Sequence, residues 1–416
     1  MSQNSFLEFA IRYAGRNLLR NQRRTILTIS TVALSVAVSN IGTRYSTAVL
    51  KIWQDGSINH GTAHAQIHAK GYFDRPDVIS VERTIAKGDG FQKTILDDKD
   101  VESTTRRIVF EGIISAGSKT IFFLGRGIDP EAERKVSPDV FHDGVDQGQF
   151  VSTLVPNGIV IGKGLAETLG LKIGDDASLM VNTLNGTVNG VDVKVAGIVN
   201  PPLPGLSKRL VYAHVDFVQQ SINLEGRFSQ LAIRLKPEAQ PEAFVERYQS
   251  GALAAGLDLR GWWQLDPMIR KVEKIWDSVV GVICFLLFIS AGISVLNIIF
   301  MLVAERTVEI GTLMAIGAKP RDIKFLFASE AILIGIIGGI IGGIVANFAL
   351  KVMDIVGVPF DSPFSTGVLL VHPQISILVT VVIIVAGIAI CYLSALAPAR
   401  KAAAVEPVIA FRGQIT

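Results

Sequence analysis

Residues 278–304 read SVVGVICFLLFISAGISVLNIIFMLVA, 27 residues without one charged side chain. A hydrocarbon core about 30 Å thick needs about 20 helical residues to cross it. This stretch reaches roughly 40 Å at about 1.5 Å per residue, so it must tilt or protrude. In lipid the backbone has to satisfy its own polar groups, which a single segment can do only as a helix. Three further blocks have the same character: Thr25–Gly42, Phe325–Leu350 (interrupted only by Glu330) and Ile375–Ala397. The expected architecture is an α-helical polytopic membrane protein with four transmembrane helices.

Composition agrees with the blocks. Of 416 residues, 49% are hydrophobic and 19% charged, and the mean hydropathy is +0.42. That is too apolar for an ordinary soluble chain and excludes disorder. A net charge of +3 also argues against a nucleic-acid partner, which calls for a far more basic surface. The charge is unevenly spread. Residues 1–24, 305–324 and 398–416 together hold 12 basic and 5 acidic residues, whereas 46–277 hold 26 basic and 29 acidic. Lysine and arginine concentrate on the cytoplasmic side of membrane proteins. Both termini are therefore expected in the cytoplasm, of a bacterial inner membrane once the family resemblance below is included.

The expected organisation follows. Residues 1–24 form a cytoplasmic basic helix, 25–45 the first span, and 46–277 a large extracytoplasmic domain. Spans at 278–304, 325–350 and 375–397 are separated by a cytoplasmic loop, 305–324, and a short external loop, 351–374. Residues 398–416 form a cytoplasmic tail. The first block resembles a cleavable signal peptide in length, but its leader is long and no small-x-small site precedes Arg44, so an uncleaved anchor is expected. Cys284 and Cys391 both fall inside spans, which leaves the external domain to be held by its core alone.

The external domain reads as mixed α/β. β-branched runs at Ile108–Phe110, Thr120–Leu124, Gly158–Ile161 and Val191–Val199 alternate with turn signals, and Lys163–Leu169 and Glu242–Leu253 are helical. Arg270, Lys271 and Lys274 lie on a charged helical segment that runs unbroken into the second span, as a stalk would. His60, His64 and His68 recur every four residues, but the sequence around them looks like strand. Residues four apart on a strand are about 13 Å apart, too far to share one metal ion. No metal site is expected.

Nucleotide and hydrolase motifs are missing. There is no G-x-x-x-x-G-K-[ST], no H-E-x-x-H and no G-x-S-x-G. The chain is not expected to be an enzyme, so any energy must come from another subunit.

Several segments carry more specific chemistry. Phe6–Arg24 is amphipathic, with Arg12, Arg16 and Arg20 as a basic stripe suited to a helix on anionic membrane lipids. The loop ERTVEIGTLMAIGAKPRDI, residues 305–323, gives a short helix with Ile310, Leu313, Met314 and Ile316 as an apolar patch. Gly317 can end that helix and Pro320 can begin the next. A partner's groove or the membrane surface would bury the patch. In the third span, Gly335, Gly338, Gly339, Gly342 and Gly343 form overlapping G-x-x-x-G pairs, which let helices approach closely. They fit a dimer seam or packing within the chain, with the second span as the favoured partner. Glu330 lies about 7 Å inside that span at 1.5 Å per residue, where it reads as an interfacial structural acid able to meet water or a coupling-loop cation.

At this loop a resemblance emerges. Glu305–Ile323 resembles the E-R-x-x-E-I-G-x-L-x-A-[IL]-G-A signature of FtsX-type (type VII) ABC transporter permeases, a family that includes macrolide exporters and lipoprotein-releasing permeases. Ala14–Thr25 is similar to the family's basic amino-terminal helix, and Pro398–Ala403 with Glu406-Pro407-Val408 to its carboxy-terminal motif. Ile161–Asp175, Val193–Val199 and Leu210–Ala213 resemble its MacB-like periplasmic core domain.

The resemblance implies a permease subunit that binds no cofactor itself. ATP and Mg would sit on two copies of an ABC ATPase, gripping Glu305, Arg306, Glu309, Ile310, Leu313, Met314 and Gly317. It also implies a second permease subunit (homodimer or heterodimer), a periplasmic adaptor or lipoprotein chaperone, and a Sabre-like insertion at roughly 116–224. The function implied is mechanotransmission for lipoprotein release or efflux. The alternative is a non-transporting signalling permease that activates a cell-wall hydrolase, to which the large external domain is less suited.

Overall fold

The computed structural model describes residues 22–74, 83–88, 90–142, 145–151, 157–201, 204–361 and 368–404. The basic stripe Arg12, Arg16 and Arg20 and the tail beyond residue 404 lie outside them. The chain divides into two compact units. One holds the described residues of 1–50, 273–359 and 370–416; the other holds 51–272 and 360–369.

Four helices of the described chain are long and apolar enough to cross a membrane. The first runs Gln22–Ser57, the second Pro267–Glu305, the third Pro320–Val356 and the fourth Ile377–Ala403. The second is unbroken and includes the Arg270–Lys274 segment. Local signals set the ends. Pro320 occupies the first turn of the third helix, and Asp322 Oδ2 accepts the Lys319 N–H at 2.9 Å. Ser376 Oγ accepts the Val379 N–H at the start of the fourth. The bundle buries Val32, Val295, Ile299, Phe327, Ile334 and Cys391 in one cluster.

The five glycines of the third helix divide by face. A Cβ on Gly335 or Gly339 would press on Ile388, Cys391 or Ile384 of the fourth helix, and one on Gly343 would meet Ile384 and Thr380. A Cβ on Gly338 would meet Val32, and one on Gly342 would run into the Ala33 carbonyl, both in the first helix. The partners are thus the first and fourth helices rather than the second. Residues 335, 339 and 343 share one face of the helix and 338 and 342 the next, so the two G-x-x-x-G registers seat two different neighbours. Polar side chains join the same three helices. Asn40 Nδ2 donates to Thr380 Oγ1 at 3.0 Å, and Thr380 Oγ1 lies 3.2 Å from Asn347 Oδ1.

The second unit is built on ten strands: β1 (Ala65–Ala69), β3 (Val101–Ala116), β4 (Lys119–Ile128), β5 (Val145–Gly148), β6 (Gly158–Gly162), β7 (Asp176–Asn182), β8 (Val188–Val199), β9 (Leu210–His214), β11 (Gln230–Leu235) and β12 (Leu257–Gly261). Two-residue strands β2 (Ile85–Ala86) and β10 (Arg227–Phe228) pair with each other. The main sheet runs β12-β1-β11-β3-β4-β9-β6-β8-β5. The long strand β3 changes neighbours along one edge: Val101–Arg107 pair with β11, and Gly112–Ser115 pair with β7. Because β7 also pairs with β8, strands β3-β4-β9-β6-β8-β7 close into a ring. Closure abolishes the edges of these strands and encloses a packed interior. Ile114, Phe123, Ile159, Ile161, Val195 and Val211 fill it, with the Phe110 and Phe123 rings 5.5 Å apart edge to face. Gly112 is needed where the ring closes, since a Cβ there would collide with the Met180 carbonyl.

The three spaced histidines occupy different settings. His60 lies in a π-helical turn, Ile58–Thr62, that follows the first helix. His64 Nδ1 accepts the Leu235 N–H at 3.2 Å, and His68, buried on β1, bonds Gln66 Oε1 at 2.9 Å. Burial, with nearby arginines, lowers His64 to about 4 and His68 to about 3, so both are neutral at pH 7. The loop expected at 351–374 contains two paired strands, β13 (Val358–Asp361) and β14 (Val368–Val371).

Candidate coupling surface

The loop after the second helix forms a helix, Thr307–Ala315. Its end is set by Gly317, which has φ +106°. The Ala318 N–H bonds the Leu313 carbonyl and the Gly317 N–H that of Met314, a Schellman-type finish for which glycine is the favoured residue. The chain then enters the third helix at Pro320.

The apolar residues of this loop do not form one outward patch. Ile310 is 2% exposed and belongs to the bundle cluster, with Leu313 and Met314 half-buried against the same cluster. Ile316 faces away and is 80% exposed. The single apolar patch expected from the spacing is therefore divided, with Ile310, Leu313 and Met314 packed on the bundle and Ile316 open. Helical periodicity marks Ile310, Leu313 and Met314 as one apolar side, and the protein's own bundle covers that side. Thr312, Ala315, Ile316, Gly317 and Lys319 make up the open side, near the exposed Arg321 and Lys324 of the third helix.

Charge fixes the loop from three directions. Arg306 Nη2 lies 2.6 Å from Glu309 Oε2. Arg306 Nη1 lies 3.6 Å from Glu330 Oε1 in the third helix. Arg24 of the first helix meets Glu305 Oε1 at 2.8 Å and Met301 Sδ at 3.0 Å. Glu330 is fully buried and the Arg306 side chain 10% exposed, so this pair is little screened. The Arg24–Glu305 pair, at 50% and 40% exposed, is the kind worth at most about 1 kcal/mol. Sequence reasoning placed Glu330 within reach of a loop cation, but nothing in the spacing identified Arg306 or Arg24.

The remaining candidates lie elsewhere. Arg270 Nη2 sits 3.7 Å from Glu242 Oε1, and its guanidinium lies over the Trp262 ring at 5.9 Å. Lys271 and Lys274 are exposed on the second helix. Among the described residues no group of three His, Cys, Asp or Glu is placed to hold a metal ion.

Comparison with known proteins gives the same assignment at both ends. Residues 25–250 match the MacB-like periplasmic core domain, and residues 281–407 match the FtsX-like permease C-terminal domain. The macrolide export ATP-binding/permease protein MacB 2 of Aeromonas hydrophila is 29% identical over 257 residues, which is 60% of this chain and 37% of that protein. The lipoprotein-releasing system transmembrane protein LolC of Neisseria meningitidis is 23% identical over 220 residues, 51% of this chain and 52% of LolC. A MacB of Agrobacterium fabrum is 22% identical over 409 residues, 96% of this chain and 60% of that protein. The chain therefore spans between 37% and 60% of the length of these three relatives. With the first match covering more than half of the chain and the second taking in the whole 305–324 loop, this protein belongs to the FtsX-type ABC transporter permeases that carry a MacB-like periplasmic core domain.

Proposed function

We propose that this chain is the membrane subunit of an ABC transporter that works mechanically on a substrate outside the membrane. In this reading the four apolar helices cross the bacterial inner membrane with both termini in the cytoplasm, and residues 46–277 stand outside. Two copies of a separate ABC ATPase bind at the 305–324 loops of a permease dimer and hydrolyse MgATP. Closure of the ATPases shifts the loop helix, and the unbroken second helix carries that shift outward. The relatives' names cover both macrolide export and lipoprotein release, so the cargo class proposed is an envelope amphiphile. An adaptor or a lipoprotein chaperone would receive it.

One observation carries the reading. The loop helix is seated on its own bundle through Ile310 and presents Ile316 outward beside Lys319, Arg321 and Lys324. A helix fixed behind and open in front is what a partner needs in order to grip and move it. The test is co-purification of the chain with its cognate ATPase from membranes. The wild type should retain the ATPase. Ile316→Glu should lose it while inserting normally, and full retention by that variant would remove this surface as the dock. Mass spectrometry of lipids and lipoproteins carried through the purification would then identify the cargo.

A further inference from the structure

The first long helix does not end in an ordinary cap. Ser57 leads into the π-helical turn Ile58–Thr62, and Ala63 beyond it has φ 54° and ψ −171°. A non-glycine residue at positive φ costs of order 1–3 kcal/mol and persists only where its surroundings over-determine it. π-turns are rare and cluster where proteins do work.

Those surroundings are unusually well built. Arg107 on β3 is completely buried. Its Nε and Nη2 meet the two oxygens of Glu133 at 2.8 and 2.6 Å, its Nη2 also reaches Ser137 Oγ at 2.8 Å, and its Nη1 donates to the Gly61 carbonyl inside the turn. Glu133 sits on the short helix Pro130–Val136, which Asp129 caps. Gln66 Nε2 donates to the Gly61 and Thr62 carbonyls at 3.2 and 2.9 Å. Arg234 on β11 reaches Asn59 Oδ1 at 3.1 Å and the Val136 carbonyl at 3.0 Å. Ala63, Val136 and Ala232 close the remaining space as a small apolar cluster.

A buried ion pair is a poor way to gain stability, because desolvation offsets much of the attraction and apolar residues of equal volume do as well or better. Its distinctive product here is geometry. The planar guanidinium fork holds one carbonyl and one carboxylate at fixed angles. We propose that Arg107 is a positioning residue that locks Ile58–Thr62 into a rigid joint, so that the last turns of the first helix, Lys51–Ser57, move with the β-sheet as one body. This rests on the mechanical reading above only for its purpose: the joint is a second point, besides the second helix, at which displacement enters the external domain.

Hydrogen exchange of the full chain in lipid nanodiscs tests it. In the wild type, amides of 58–64 should exchange as slowly as those of β3, and faster exchange there by tenfold or more would overturn the proposal. Arg107→Met alone strands a buried carboxylate and risks unfolding, so the second arm uses Arg107→Met with Glu133→Leu, which removes both charges and retains the volume. That double variant should keep the protection of β3 and β6 while exchange at 58–64 rises at least tenfold. The distance distribution between spin labels at Lys51 and Glu246 should broaden at the same time. Unchanged exchange and an unchanged distribution in a folded double variant would defeat the joint. If that variant loses protection throughout the sheet, the wild-type comparison decides alone. No readout involves the ATPase, so the joint and the docking surface fail separately.

Discussion

Arg306 Nη1 stands 3.6 Å from Glu330 Oε1, so a residue of the 305–324 loop is a counter-ion of a fully buried acid in the third helix. At that distance the contact is an ion pair rather than a hydrogen bond. It accounts for the one acidic residue within an otherwise apolar 26-residue stretch, and it ties the start of the loop helix to the third helix. Removing one partner from a buried pair costs up to about 3–5 kcal/mol, whereas replacing both by apolar groups is close to neutral. Arg306→Met should therefore lower the thermal midpoint in detergent, and Arg306→Met with Glu330→Leu should recover most of the loss. Additive losses in the double variant would mean that the two residues do not act as a pair.

The two isoleucines of the loop should fail in different ways. Ile310→Asp places a charge in the bundle core and should destabilise the whole helical unit by several kcal/mol, at least about 3. Ile316→Glu alters only an exposed position and should leave the midpoint within about 0.5 kcal/mol of wild type while ATPase association is lost. Thermal unfolding and co-purification measured on both variants separate packing from docking. Equal destabilisation by the two would contradict the orientation of the loop helix.

That difference marks where sequence reading stops. Four charge-free stretches of 18 residues or more announce apolar helices because lipid tolerates little else, and the 305–323 spacing announces a short amphipathic helix. Periodicity locates an apolar side but does not say what covers it, so Ile310 and Ile316 looked equivalent. The third-helix glycines were recognisable as close-approach residues, yet their partners depend on how Val32, Ala33 and Ile384 are brought to them from distant parts of the chain. Strands were readable from β-branched runs. Ring closure through β7 was not, because pairing Gly112 with Val181 joins residues nearly 70 positions apart and no local signal encodes it.

The glycines themselves offer a graded test. At Gly342 an added Cβ would collide with the Ala33 backbone carbonyl, which cannot move without shifting the first helix. At Gly343 the nearest atom is the flexible Ile384 Cδ1 at 3.0 Å, which can rotate away. Gly342→Ala should cost about 1–3 kcal/mol as overpacking, and Gly343→Ala less than about 1 kcal/mol. Unfolding in detergent, followed by helical signal, reads both. A larger loss at Gly343 would place the tighter contact on the fourth helix instead of the first.

Acid should weaken the second unit through its two neutral histidines. His64 and His68 are lowered to about 4 and about 3 from an ordinary value near 6.5, chiefly by burial. Between those values the unfolded chain binds protons that the folded chain does not, so stability falls as pH drops below about 6.5 and is unaffected above it. The slope approaches about 1.4 kcal/mol per pH unit for each histidine over that window. Trp262 and Trp263 lie in this unit, and denaturant unfolding followed by tryptophan fluorescence at pH 7.5, 6.0 and 5.0 would measure the slope. His68→Gln, although less stable at neutral pH through lost packing against Tyr72 and Phe73, should show a shallower acid dependence than the wild type. An identical slope in that variant would remove His68 as a source of the acid sensitivity and leave it to His64 and the carboxylates.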